Sequence, residues 1–319
     1  MFSTTNVFLS LSFVLLWSSG WIGGKFAVDQ VAPFTFLSWR YAIVVFILAA
    51  CVLLRGQWRP LTSREYVHHM TVGVLSHGVY LGASLYAMQA GVSAGMVALI
   101  TSMQPLITSV IAQNYSSEKA NRTQWLGVFL GVLAVCLIVI DQITVGGSLF
   151  AYLLLFVAVL ALCCATHFAR STTLSTRTAR VHSAPLLQIM FIHSCAALAF
   201  FSVFALSLEG QATQWTSSLV GTLLYLAVIV SIGSYGLLFL LLQRLPAVEV
   251  SSLAYLTQGT TMLIAWLVLG ETLTALQWMG LILATSSVFL VHLNKVEVTQ
   301  TKARGHLQFD QHVPLIRRR

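Results

Sequence analysis

The sequence predicts an all-α polytopic membrane protein with ten transmembrane helices that form two inverted five-helix repeats. Composition is the first reason: of 319 residues, 57% are hydrophobic and 8% are charged, whereas soluble domains carry about 25% charged residues. A set of ten apolar runs is the second reason, and a motif shared by the two halves is the third. Lipid is the expected solvent, because a soluble protein could not cover this much apolar surface.

Ten apolar runs of about 20 residues, the length of a membrane-spanning helix, follow one another along the chain. They lie near 5–27, 34–54, 67–90, 94–113, 123–141, 147–168, 184–206, 218–242, 247–268 and 275–294. The first is interpreted as a retained span, because it lacks the basic region and clear cleavage site of a signal peptide. The polar, basic segment 295–319 is expected to be a disordered tail.

A spaced motif occurs in both halves at one offset. Its positions are Glu118, Gln124, Trp125 and Gly127, then Glu271, Gln277, Trp278 and Gly280, 153 residues later (271 − 118, 280 − 127). A constant offset indicates an internal repeat. Five spans per copy would turn the second copy upside down, which predicts the units 1–142 and 143–294, followed by the tail 295–319.

The same motif has a local interpretation that needs no substrate. Asn121-x-x-Gln124 and Thr274-x-x-Gln277 both fit a capping box at a helix start. Each preceding glutamate would then be stabilised by the dipole at the N-terminus of the helix that follows it.

Basic residues are distributed unevenly between the two sides of the predicted bundle. With the N-terminus inside, the inner loops and tail hold fifteen Lys and Arg residues, and the outer loops hold only Lys25. Cytoplasmic loops carry such an excess, so both termini are expected in the cytoplasm. The net charge of +8 is attributed to topology, and no nucleic-acid partner is expected.

Sequence signs of a metal site, a cofactor or an enzyme are missing. The five cysteines lie in apolar runs without zinc-site spacing, and no Asp-rich motif, Gly-x-Ser-x-Gly elbow or Walker lysine is found. We therefore expect neither catalysis, nor a metal, nor a cofactor. An integral membrane enzyme and a receptor-like binding protein remain the alternative functions.

Short motifs in each half point to a family. They are Trp17-Ser18-Ser19-Gly20, Lys25, Pro33 and Trp39-Arg40-Tyr41, then Arg244-Leu245-Pro246-Ala247, Val250-Ser251-Ser252-Leu253, Leu269-Gly270-Glu271 and Gln277-x-x-Gly280. From about residue 10 to 294 the chain resembles the EamA-type transporters of the drug/metabolite transporter superfamily. The resemblance implies two five-helix EamA repeats in the cell (inner) membrane and movement of small metabolites, often outward.

The expected function is secondary transport of a small amphipathic metabolite by alternating access, in the direction of export. An amino acid or a drug-like compound would suit a neutral, aromatic cavity. The partners are the substrate and the lipid bilayer, and the chain is expected to be a monomer or a homodimer.

Polar side chains inside a span are costly, so those that face inward are candidates for the substrate site. The predicted substrate-binding residues are Trp17, Arg40, His77, Tyr80, Gln104, Thr108, Ser234, Tyr235, Tyr255 and Gln258. Packing is the alternative role for each, since Ser, Thr and Gln also bond between helices. The predicted gating positions are Pro105, which removes a helix hydrogen bond, and Gly259, where any break in the ninth span would occur.

These residues allow two arrangements of the cavity. The offset of 153 residues aligns Pro105 with position 258 (258 − 105). Gln104 and Thr108 would then face Tyr255 and Gln258 near the midplane of the membrane. The second arrangement places the cavity around Trp17, Arg40 and His77.

Arg40 has three possible roles in the second span. It could bind a substrate carboxylate with two hydrogen bonds, pair with Asp29 or Asp141, or extend toward the membrane surface. Lys25 and Asp29 are four residues apart at the outer end of the first span, and they are expected to pair with each other.

Proton coupling has weak support in the sequence. None of the nine carboxylates lies in mid-span, and His167 and His193 are interpreted as isolated side chains that pack and form hydrogen bonds. Facilitated movement or exchange is therefore the expected mode of transport.

Overall fold

The computed structural model is helical in the part of the chain that it describes. It describes the residues 4–101, 103–104, 107–108, 125–127, 129–131, 133–134, 136–137, 140, 148–178, 184–210, 213–245, 247–272, 274–283 and 286. Within these ranges, only the backbone is described at 170–178, 239, 242, 247–249, 251–252 and 254–255. No strand occurs in these ranges, in agreement with the predicted all-α class.

The helices of the first half are named α1 to α4. α1 spans Thr4–Val28, α2 spans Pro33–Leu54 and α4 spans Ala94–Thr101. α3 consists of Ser63–Gly73, the π-helical stretch Val74–Val79 and Tyr80–Gln89. Further helical positions lie between 104 and 140. α3 begins after a capping box, and α2 begins with a proline, whose missing N–H needs no partner in the first helical turn.

The helices of the second half are named α5 to α9. α5 spans Leu149–Thr178, and α6 consists of Leu186–Phe204 and the π-helical stretch Ala205–Glu209. α7 consists of Ser217–Leu224, the π-helical stretch Tyr225–Ser234 and Tyr235–Arg244. α8 consists of Ala247–Ile264 and the π-helical stretch Ala265–Leu269. α9 is described over 275–283.

The capping box predicted before α9 is present. The N–H of Thr274 donates to Oε1 of Gln277, and the N–H of Gln277 donates to Oγ1 of Thr274, both at 3.2 Å. Each side chain satisfies a backbone donor that lacks a partner inside the helix. The corresponding box at Asn121 lies outside the described residues.

The carboxylate of Glu271 stabilises a different helix from the one predicted. Its oxygens accept hydrogen bonds from the N–H groups of Ala94 (2.8 Å) and Gly95 (3.1 Å), at the start of α4. Glu209 accepts in the same way from Phe34 (3.1 Å) and Thr35 (2.7 Å), at the start of α2. A helix N-terminus has free N–H groups and favours negative charge, so each glutamate ties a helix of the first half to the second half.

The described helices fit a membrane. Five are long and apolar enough to cross one: Thr4–Val28, Pro33–Leu54, Leu149–Ala169, Leu186–Glu209 and Ser217–Leu238. Large apolar side chains on their outer faces are exposed, as in Phe46 at 76% and Leu54 at 87%. Water would disfavour such a surface, whereas lipid matches it. The chain is a multi-pass membrane protein.

Helices of the first half pack against helices of the second half. α1 packs against α7 and α8, α2 against α6 and α7, α3 against α5 and α6, and α4 against α5 and α8. Buried side chains from both halves therefore share one core. The interior of the bundle lies between the two halves, and the cavities of the protein form there.

α3 and α6 approach each other closely at Gly73. A β-carbon at Gly73 would lie 2.6 Å from the Cα of His193, so a larger residue would force the two helices apart. Gly78 and Gly82, further along α3, instead face aromatic rings. Gly73 is thus the position that brings the two backbones together.

Candidate functional site

A cavity of about 70 Å³ lies between α1, α2, α3 and α7. Its wall contains rings and hydroxyl groups around one guanidinium group: Trp17, Trp21, Arg40, Tyr41, Ser76, His77, Tyr80, Ser231 and Tyr235. About 15 Å³ of such volume holds one water molecule, so the cavity has room for several waters or for part of a small metabolite. A concave, mostly apolar site with a few polar groups is typical of small-molecule binding.

The helical spacing of the lining residues explains why their side chains face the cavity. Trp17, Gly20 and Trp21 are three and four residues apart and share one face of α1. α3 and α7 are both π-helical where they meet the cavity. π-helical turns are rare, and they occur frequently at functional sites.

Arg40 is buried, with 7% of its surface exposed. Its Nε and Nη2 donate to Oγ of Ser231 at 3.1 and 2.9 Å, and that hydroxyl donates to the carbonyl of Leu226 at 2.9 Å. In the described part of the chain, no carboxylate lies within salt-bridge distance of the guanidinium group. Because its partner is neutral, the positive charge of Arg40 is available to an anionic group in the cavity.

The structure tests one of the two carboxylates that could pair with Arg40. Lys25 and Asp29 form the expected ion pair, with Nζ and Oδ1 2.6 Å apart, so Asp29 is already engaged at the outer end of α1. Asp141 lies outside the described residues. Since Arg40 is buried, its side chain does not extend to the membrane surface.

The rings of the cavity contact one another edge to face or at a tilt. Trp17 packs on Tyr235 with ring centroids 5.6 Å apart, and Trp21 packs on Tyr80 at 5.9 Å. His77 lies against Tyr41 at 5.8 Å and against Tyr235 at 5.9 Å. Such contacts fix the orientation of rings, so the cavity has a defined aromatic wall.

A second cavity of about 220 Å³ adjoins the first. The two share Tyr41, His77, Ser231 and Tyr235. The second extends between α2, α6 and α7, where Leu48, Met190 and His193 line it. The shared residues therefore stand between an aromatic chamber that contains Arg40 and a larger, mainly apolar chamber.

Half of the predicted binding residues meet at the first cavity. Those five are Trp17, Arg40, His77, Tyr80 and Tyr235. Ser234 is buried nearby on α7, but it does not line either cavity. The structure thus assembles the second of the two predicted arrangements, the one around Trp17, Arg40 and His77.

The described side chains of the arrangement that joins α4 to α8 line neither of these two cavities. Nε2 of Gln104 donates to Oγ1 of Thr166 on α5 at 2.9 Å, and Thr108, like Gln104, lines neither cavity. Gln258 is 8% exposed. The hydrogen bond of Gln104 to Thr166 is a packing contact between helices, and substrate binding by Gln104 stays a prediction.

Three of the remaining predicted residues, Pro105, Tyr255 and Gly259, lie in the middle of the fourth and ninth spans. Pro105 and the side chain of Tyr255 lie outside the described residues. α8 continues as an unbroken helix through Gly259, and a β-carbon there would meet open space. The helix break that would make Gly259 a gate is absent from this conformation.

Sequence reasoning gave too little weight to several cavity residues and misjudged one histidine. Trp21, Tyr41 and Ser231 line the cavity but were not among the predicted binding residues. The interpretation of His193 as isolated is wrong, because its ring lies 5.7 Å from that of His69 and 6.1 Å from that of His77. The spacing His69-x-x-x-Gly73-x-x-x-His77 could have indicated a histidine face on α3.

Comparison with known proteins gives one family and several transporters. The EamA-like transporter family matches residues 4–140 and 150–293. The "Probable amino-acid metabolite efflux pump" of Salmonella typhimurium is 25% identical over 90% of this chain and 95% of its own length. The Escherichia coli protein of the same description is 22% identical over 88% and 93%. The "Uncharacterized inner membrane transporter YedA" of Escherichia coli is 22% identical over 88% of each chain.

A solved structure supports the fold alone. One crystal structure matches with a TM-score of 0.55 over 91% of this chain and 98% of its own, at 17% sequence identity. Its fold is therefore shared across nearly the whole length of both chains.

Proposed function

Because this chain belongs to the EamA-like transporter family, we propose that it exports a small amino-acid-like metabolite by alternating access. The observation that carries the proposal is the buried guanidinium group of Arg40 in an aromatic cavity between the two halves of the chain. Substrate sites of transporters built from inverted repeats lie near the midplane between the repeats. Two relatives described as amino-acid metabolite efflux pumps support the substrate class and the direction.

The cavity suits a molecule with one carboxylate and an apolar body. Arg40 offers Nε and Nη2 on one side of its planar group, where a carboxylate can accept two parallel hydrogen bonds. Binding would exchange the neutral Ser231 for a charged acceptor, which strengthens the bonds. Trp17, Trp21 and Tyr80 offer faces and edges to the apolar body.

The inverted arrangement of two five-helix repeats is part of the proposal. The offset of 153 residues (271 − 118) maps α1, α2, α3 and α4 onto α5, α6, α7 and α8. A two-fold relation exchanges each helix for its counterpart in the other half, so every contact between the halves should have an equivalent contact. The equivalent of α1–α7 is α5–α3, that of α1–α8 is α5–α4, and that of α2–α7 is α6–α3. The contact α2–α6 is its own equivalent. All of these contacts occur, as a two-fold relation between the repeats requires, and the excess of basic residues in the inner loops supports termini in the cytoplasm.

The conformation itself favours closure toward the outside. In the proposed topology, Glu209 and Glu271 tie helices of the two halves together at the outer side. The 220 Å³ cavity lies on the inner half of α2, α6 and α7. A substrate would enter from the cytoplasm through this chamber and leave after the outer ties separate.

The test is export of radiolabelled amino acids from proteoliposomes that contain the wild type or Arg40→Gln. The variant should lower kcat/KM for export at least tenfold, because a lost charge-assisted interaction is worth about 1.5–3 kcal/mol. Arg55→Gln is the matched control, since Arg55 ends the same helix at an exposed position and its variant should transport normally. Equal transport by both variants would overturn the assignment of Arg40.

A further inference from the structure

Four histidines form a continuous row from one end of α3 to the substrate cavity. The ring centroids of His68 and His69 are 5.4 Å apart, those of His69 and His193 are 5.7 Å apart, and those of His193 and His77 are 6.1 Å apart. His68 and His69 lie within the first two turns of α3 and are half-buried. His77 lines both cavities.

The row depends on the close contact of α3 with α6. His69, Gly73 and His77 are spaced four residues apart, so they lie on one face of α3. Because Gly73 has no side chain, the backbone of α6 reaches that face at His193. The imidazole of His193 is thereby placed between the other two, and a direct contact of His69 with His77 is not needed.

Water can complete the contacts within the row. Ring centroids 6 Å apart leave gaps that one water molecule can bridge. Nε2 of His193 is buried and has no hydrogen-bond partner among the described residues, and His193 lines the 220 Å³ cavity together with His77. Although that cavity is mainly apolar, His77, His193, Ser231 and Tyr235 all line it, and their polar atoms offer a bridging water the partners that it needs. An imidazole carries both a donor and an acceptor, as proton transfer along a row requires.

A metal site is the competing explanation for clustered histidines. Within the described ranges, no three His, Cys, Asp or Glu side chains are arranged to hold a metal ion. The histidines follow one another in a line, whereas ligands of one metal ion would converge on one point.

We propose that His68, His69, His193 and His77 conduct protons between the inner end of α3 and the substrate cavity, and that this path couples export to the proton gradient. The inference rests on the proposed transport function, since the path ends at the proposed substrate site. Histidine is suited to the role because one ring nitrogen can accept a proton while the other releases one.

Charge in the cavity explains how the proton would act. An amino acid held at Arg40 by its carboxylate carries an ammonium group, and a proton on His77 would repel that group. Proton and substrate therefore exclude each other, so one proton enters the cell as one substrate leaves. The charged and titratable groups that face the row are Arg40, Tyr41, Arg59, Glu65, Tyr80 and Tyr235; of these only Glu65 is acidic, and it lies at the inner end.

The test uses proteoliposomes and an equimolar mixture of the twenty radiolabelled amino acids. With the lumen one pH unit more acidic than the medium, and with valinomycin and equal potassium on both sides to hold the membrane potential at zero, the wild type should accumulate label about tenfold. One pH unit then equals a tenfold concentration ratio for exchange of one proton for one zwitterion. A protonophore should abolish the accumulation. His69→Gln and His193→Gln should reduce it below about twofold. In His69→Gln, whose side chain lines neither cavity, exchange of labelled for unlabelled substrate at equal pH should stay within about twofold of wild type.

His167→Gln is the matched control, because His167 lies on α5 outside the row. This variant should accumulate label as the wild type does. Wild-type exchange without any response to the pH gradient would contradict proton coupling and leave the transport function intact. Full accumulation by His193→Gln would contradict the path.

A measurement without substrate keeps the two proposals distinguishable. If no amino acid is transported, the proposed function fails, and ¹⁵N NMR of histidine-labelled protein still tests the row. Exchange of the His77 ring proton with water should slow at least tenfold in His193→Gln. Equal exchange rates in the two proteins would overturn the path.

Discussion

The cavity around Arg40 and the contact of α4 with α5 and α8 both place polar side chains inside the bundle, yet they use them differently. In the α4 region, Gln104 donates to Thr166 on the neighbouring α5, and Thr101 donates to carbonyls of its own helix. Around Arg40, a full positive charge has a neutral hydroxyl as its hydrogen-bond partner among the described residues.

Hydrogen-bond partners distinguish packing from binding residues in a membrane bundle. A polar group whose hydrogen bonds are met by neighbouring helices stabilises the bundle and leaves nothing for a ligand. A buried charge without a counter-charge is costly unless a partner arrives. The expected consequence is that changes around Arg40 alter transport, and changes around Gln104 alter stability.

Trp17→Leu is expected to have the largest effect on transport. It removes an indole that lines the cavity and packs on Tyr235, so kcat/KM for export should fall at least tenfold, about 1.4 kcal/mol or more. Trp39→Leu is the control, because Trp39 is 42% exposed and packs on Trp215 at the end of the bundle. If Trp39→Leu impaired export as much as Trp17→Leu, the cavity would not explain the loss.

Glu271→Ala should have the largest effect on stability and thereby sharpen the comparison. It leaves the N–H groups of Ala94 and Gly95 without their charged acceptor, at an expected cost of about 1.5–3 kcal/mol. Thermal unfolding in detergent would measure it as a lower Tm. Glu271→Gln, which keeps one acceptor oxygen, should lie between the wild type and Glu271→Ala; an unchanged Tm for both would contradict the tie between the halves.

Gln104→Leu should have the smallest effect of the three. It removes one neutral hydrogen bond to Thr166, which is worth about 0.5–1.5 kcal/mol, and it should leave kcat/KM within about twofold of wild type. Transport assays in parallel with Tm measurements would check both parts. A tenfold loss of transport at normal stability would instead support a substrate site in which Gln104 and Thr108 face Tyr255 and Gln258.

Local patterns in the sequence predicted most of the described helices. The runs 5–27 and 34–54 differ by one residue at most from each end of α1 and α2, because apolar length alone fixes a membrane span. The capping box at Thr274 and the Lys25–Asp29 pair were also predictable, since both depend on residues within four positions of each other.

The site was harder to predict because its contacts join distant residues. Arg40 and Ser231 are 191 positions apart, and Glu271 reaches Ala94 across 177 positions. No periodicity within one helix reveals which neighbour a side chain will meet. The π-helical turns of α3 and α7 also rotate the residues that follow them, so regular helical spacing misjudged which side chains face inward.

The central claim is that Arg40 binds the carboxylate of the exported metabolite. The most direct test compares the amino acid that the proteoliposomes export best with its carboxamide, as competitors of labelled export. Wild type and Arg55→Gln should favour the free carboxylate over the amide at least tenfold, and Arg40→Gln should bind the two equally. A preference for the carboxylate that survives in Arg40→Gln would contradict the claim.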